Sequence, residues 1–275
     1  AALYGLSMLH TLFNLTNTLL LVWFTKWIAQ AVSWIIRAPK NQEKEVFRLK
    51  YISAGPLATP ELSVEQAFNE VIHFARISKN GATYAQNAIN EANTDKFEEY
   101  REKLVKYEEI SDRIEYEIAA FLNEVSTEEI SESTSIKIKS MYKIISELES
   151  LGDSGETISR ILSRMNIHKK TFDADAIKNL NAMAEAVADA YDVMIYNLDA
   201  AYKGELVEIS NAYNAEDRLN TLRNNLRDVV IEEIENNGKN YQTSVYYMDI
   251  VNAYEHMGDF MINVSQDLER GFAHK

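Results

Sequence analysis

Cysteine is absent from the 275 residues, which removes disulfides, thiolate metal sites and a cysteine nucleophile together. Proline is almost absent: Pro39, Pro56 and Pro60 are the only three, and none follows. A proline inside a helix costs about 3 kcal/mol, so residues 61–275 are free to form long helices. Basic side chains are in the minority, 28 against 42 acidic ones, for a net charge of −14. That balance argues against a nucleic-acid surface and for an exterior that attracts cations. The length suffices to bury a sizeable core.

Charge of either sign is missing from residues 1–25, whose most apolar stretch is Leu19-Leu20-Leu21-Val22-Trp23-Phe24. About 20 apolar residues cross a bilayer as a helix. Lys26 interrupts the run, and residues 27–36 continue apolar apart from Gln30. Trp23, Trp27 and Trp34 gather at one end, and Arg37, Lys40, Lys44, Arg48 and Lys50 follow. Tryptophans mark the membrane interface and basic residues the cytoplasmic side. Residues 1–37 are therefore expected to span the membrane, and residues 38–60, with all three prolines and Gly55, to form a linker. A secretory signal would need a basic start and a small-residue cleavage site, and neither is present. His10, Asn14 and Asn17 lie inside the apolar run, where polar groups are expected to pack against other membrane helices. Together with an opening Ala1, this points to the end of a multi-helix membrane protein.

After Pro60, the run Glu61-Leu62-Ser63-Val64-Glu65-Gln66-Ala67 starts a helix with acid in its first turn. Charges at helical spacing continue to the end. Six helices are predicted, at about 61–92, 95–125, 131–165, 173–203, 208–237 and 240–271. Breaks fall at Asn93-Thr94, Ser126-Thr127, Asn166-Ile167, Gly204 and Gly238. Long helices with short connections form antiparallel bundles, so the fold class is all-α.

The third and sixth helices repeat each other. Glu149-Ser150-Leu151-Gly152-Asp153 is matched by Glu255-His256-Met257-Gly258-Asp259, and Ile144-Ile145, Ile158 and Leu162 by Ile250-Val251, Val264 and Leu268, each pair 106 residues apart. Glycine inside a helix is about 1 kcal/mol worse than alanine, so its double occurrence beside paired acids is informative. The halves are residues 61–166 and 173–271. Glu149 with Asp153 and Glu255 with Asp259 are i, i+4 pairs, each projecting two carboxylates from one face. Helix two adds Glu108 and Asp112; the matching places in helix five hold Glu216 and Asn220. Such helices could aim oxygen ligands at common points, holding hard or borderline ions such as iron, zinc or manganese. Paired acids are also ordinary on solvated helix faces. His256 is expected to lie off the face of Glu255. Glu70 and His73 form a single Glu-x-x-His, half of a di-iron carboxylate site, and no second copy exists. No nucleophile triad or phosphate-binding glycine loop stands out, so no enzyme is expected.

Glu255-His256-Met257-Gly258-Asp259-Phe260-Met261-Ile262-Asn263-Val264 resembles the signature closing a PhoU-type repeat, where a Glu-Arg-Ile-Gly-Asp-like run is typical, and residues 149–158 resemble a weaker first copy. His10-Thr11-Leu12-Phe13-Asn14 resembles the His-x-x-Phe-Asn run in the last membrane part of bacterial Na+/phosphate cotransporter-family proteins. Those proteins carry a PhoU-like domain after a stretch like Leu57-Ala58-Thr59-Pro60 and a helix with Gln66-Ala67. The resemblance implies two tandem three-helix bundles and a metal set of Glu108, Asp112, Glu149, Asp153, Glu216, Glu255 and Asp259, with Asn220 departing from an expected aspartate. His10 and Asn14 would pack within the membrane domain.

The implied function is the C-terminal portion of a sodium-dependent phosphate transporter of the plasma (inner) membrane, its bundle cytoplasmic and regulatory. Phosphate and sodium would be handled by an upstream membrane domain, because the duplicated Gln-Ser-Ser-type transport segments are absent here. A regulatory protein or a second copy is an expected partner. The alternative is a membrane-tethered PhoU-like adaptor that binds signalling proteins and transports nothing.

Overall fold

The computed structural model describes residues 5, 7–18, 20, 24, 49–52, 56, 59–92, 94–205, 207, 209–237 and 240–272. The expected spanning segment 1–37, the linker 38–60 and the break at Gly238 lie mostly or wholly outside these residues. The chain divides into Ala1–Phe47 and Arg48–Lys275. In the first unit, residues 7–18 are helical and their apolar side chains, Met8, Leu9, Leu12, Phe13 and Leu15, are exposed. Four of its polar side chains hydrogen-bond within their own helix. Asn14 and His10, one turn apart, hydrogen-bond at 3.1 Å, and the Thr11 and Thr16 hydroxyls donate to the carbonyls of Ser7 and Leu12. Among the described residues no helix is long and apolar enough to cross a membrane.

The second unit is all-α. Its helices are α1 Pro60–Asn90, α2 Phe97–Val125, α3 Glu132–Ile167, α4 Ala174–Tyr202, α5 Ser210–Asn237 and α6 Tyr241–Phe272. Local chemistry sets their ends. Pro60 opens α1, where its missing N–H costs nothing. Ser131 Oγ accepts the Thr134 N–H at 3.2 Å and Asp173 Oδ1 the Ala176 N–H at 2.8 Å, capping α3 and α4. Helix α4 ends where Gly204 turns left-handed at φ 70° and lets the Glu205 N–H reach the Ala200 carbonyl. Helix α3 ends at Ile167, at the break expected at Asn166-Ile167 and two residues past the expected 165. It ends when Lys169 takes φ 53° and the Lys170 N–H returns to the Met165 carbonyl.

Helices α1, α3, α6 and α4 form a closed ring of neighbours; α2 packs outside α1 and α3, and α5 outside α4 and α6. Thus α1–α3 and α4–α6 are two three-helix units sharing one core. Phe74, Ile114, Ile144, Leu148, Leu162, Leu180, Leu219, Ile250, Val264 and Leu268 are fully buried in it, each contributing about 1.5–3 kcal/mol of transfer energy. The seam between α1 and α4 is more polar. Ser78 and Tyr191 meet at 2.9 Å in the interior, and Arg76 grips both oxygens of Asp199 at 2.8 and 2.9 Å.

Candidate functional site

The glycines of the repeat do the same work in both halves. A Cβ on Gly152 would lie 2.7 Å from Ser111 Oγ, and a Cβ on Gly258 would lie 2.7 Å from Leu219 Cδ1. Ser111 and Leu219 are 108 residues apart, as are Glu108 and Glu216. Glycine therefore brings α2 against α3, and α5 against α6, at one equivalent place. Acids flanking that contact are pressed together across the helix pair.

In the first half Glu108 and Asp112 of α2 and Asp153 of α3 bring carboxylate oxygens within 4.8 Å of one another. Glu149, one turn before Asp153, stands beside them and accepts the Ser150 hydroxyl at 3.3 Å. Burial and then Asp153, Glu115 and Asp112 push Glu149 up to about 7. Burial, with neighbouring acids behind it, also raises Glu108, Asp153 and Glu115. Arg160, paired with Glu156 at 3.3 Å, pulls Asp153 partly back. Negative charge thus accumulates faster than it is compensated.

The second half solves the same crowding differently. Glu255, nearly buried, receives the Arg223 guanidinium at 2.7 Å. His256 Nδ1 lies 3.4 Å from Glu255 and 3.6 Å from Asp259, and Glu255, His256 and Asp259 present ligand atoms within 4.8 Å of one another. His256 was expected off this face; the imidazole folds back between the two carboxylates. Glu216 is not in that group, and its carboxylate accepts the Asn220 amide instead. Residue 223 is the counterpart of Glu115, again 108 positions on. One position therefore carries an acid in the first half and an arginine in the second.

Nothing in the sequence distinguished Glu115 or Arg223, because the repeat signal came from the glycines of α3 and α6. The donor chemistry of the first half, carboxylate oxygens with excess negative charge, fits a hard or borderline divalent cation. The second half fits one poorly, since Arg223 already supplies positive charge and Asn220 replaces a carboxylate. His10 and Asn14 satisfy each other. Glu70 and His73, on α1, belong to neither group.

No protein-family profile matches the chain, and neither does any curated protein. Solved structures do. PhoU from Streptococcus pneumoniae, described as a phosphate transport system regulatory protein, shares the fold at a TM-score of 0.64 and 14% identity, over 77% of this chain and 95% of that one. PhoU from Pseudomonas aeruginosa matches at a TM-score of 0.65 and 12% identity, over 76% of this chain and 96% of that one. The chain therefore has a PhoU-like fold.

Proposed function

We propose that residues 48–275 are the cytoplasmic regulatory bundle of a sodium-coupled phosphate transporter, and that the N-terminal segment is the last span of its membrane domain. The observation that carries this reading is the fold shared with PhoU over nearly the whole of both solved PhoU chains, one of them described as a phosphate transport regulator. The charge-free opening supports membrane attachment. So do the exposed apolar side chains on 7–18 and polar groups hydrogen-bonded within their own helix. Phosphate and sodium would be carried by the upstream membrane domain.

Glu108, Asp112 and Asp153, with Glu149 beside them, would hold a divalent or ferric ion such as iron, zinc or manganese. Bound there, the ion would supply the positive charge that Arg223 supplies in the second half. The bundle would bias transport through contact with the membrane domain, a partner protein or a second copy.

Uptake of labelled phosphate by the full-length protein in a transport-deficient host tests the transport part, and the expected uptake requires sodium. Sodium-independent uptake would remove the coupling ion. No uptake at all, with no further apolar spans encoded upstream, would leave a membrane-tethered adaptor. Elemental analysis tests the metal part. Stoichiometric metal should be lost with Glu108→Gln plus Asp153→Asn and retained with Asp259→Asn.

A further inference from the structure

The one Glu-x-x-His of the chain is used, and not by either acidic group. Glu70 is fully buried on α1. Its Oε2 accepts the main-chain N–H of Tyr51 at 2.6 Å, across 19 residues of sequence. One turn further along α1, His73 meets the edge of the Tyr51 ring, centroids 6.2 Å apart at 83°. Lys50 places its ammonium over the same ring, 5.1 Å from its centroid. Among the described residues Glu70 Oε1 has no hydrogen-bond partner. A fully buried carboxylate is costly to keep, and one left half satisfied more so. An apolar residue at position 70 would serve the core better. The carboxylate serves the segment that enters the bundle.

We propose that Glu70 and His73 form a latch that fastens residues 49–52 to α1, with Glu70 gripping the Tyr51 main chain and His73 seating its ring. The latch holds the chain where it passes into the bundle. The proposal uses no metal and stands whether or not the acidic groups bind one.

Amide hydrogen exchange on the intact chain tests it. The Tyr51 amide, though next to an exposed lysine, should exchange slowly in the native protein. Glu70→Leu should speed its exchange about ten- to a hundred-fold, the factor that a hydrogen bond to a charged acceptor represents. Amides of α3 and α6 should keep their protection, because an apolar side chain replaces a half-satisfied buried charge. Should Glu70→Leu fail to fold, Glu70→Gln is read instead; it keeps an acceptor without the charge and should speed Tyr51 exchange several-fold. Tyr51→Ala retains the main-chain donor and should leave residue 51 more protected than Glu70→Leu does. A native Tyr51 amide exchanging at the rate of an unstructured peptide would overturn the latch. So would unchanged protection in Glu70→Gln.

Discussion

Glu115→Arg transplants into the first half the cation that the second half already owns. The magnitude follows from Glu149, whose carboxyl is raised from 4.5 to about 7 by burial and by Asp153, Glu115 and Asp112. For a fully buried group such a shift corresponds to about 3 kcal/mol. Glu149 is partly open to solvent, so screening leaves about 1–2 kcal/mol. The Ser146 hydroxyl, which now donates to Glu115, loses that partner at a cost of about 1 kcal/mol. The expected net gain at neutral pH is about 1 kcal/mol, or 2–4 °C in Tm for a domain of this size.

The pH profile is the sharper readout. Between about pH 4.5 and 7 the folded state retains the Glu149 proton that the unfolded chain has released. The folded state then binds more protons, so stability falls as pH rises through this window and levels off above it. Urea titrations from pH 5 to 8, followed by circular dichroism, should show that decline in the native chain and a flatter profile in Glu115→Arg. Millimolar manganese should restore stability to the native chain above pH 7 by binding the folded state, and leave the variant unmoved. A variant less stable than the native chain at pH 8 with an equally steep profile would mean that Glu115 does not load the Glu149 cluster with charge.

The two repeat glycines should differ under substitution. Gly152→Ala would set a Cβ 2.9 Å from Ser111 Cβ, an atom fixed to the α2 backbone, and should cost about 1–2 kcal/mol in chemical denaturation despite better helix propensity. Gly258→Ala meets the far end of the Leu219 side chain rather than an atom fixed to the backbone, with its next nearest atoms at 3.6 and 3.7 Å, and should stay within about 1 kcal/mol of the native chain. Tyr254 is fully buried, and among the described residues its hydroxyl has no partner. Tyr254→Phe should therefore raise the urea midpoint or leave it unchanged. A loss of more than about 1 kcal/mol would mean that a bound water satisfies that hydroxyl.

Much of the bundle was legible because its signals are local. Proline scarcity, helical charge spacing and Gly204 mark α1 to α6 to within a few residues, and the doubled Glu-x-x-Gly-Asp marks the duplication. The missed residues depend on contacts that the repeat pattern does not carry. Glu115 and Arg223 differ in sign, so no search for likeness between the halves aligns them. His256 reaches its acids by folding back along α6, which adjacency in sequence argues against. Tyr51 meets Glu70 through a main-chain group that carries no residue signature. At the N-terminus, polar residues among apolar ones suggested partner helices, yet the i, i+4 spacing of His10 and Asn14 also allows the hydrogen bond they form with each other.

The proposed regulatory role is tested most directly by transport with and without the bundle. Labelled phosphate uptake should be compared between the full-length protein and one ending before Arg48, in cells grown in scarce and abundant phosphate. Sodium-dependent uptake is expected from both, with the rate changing with phosphate supply only when the bundle is present. Identical rates from the two proteins under every condition would contradict it.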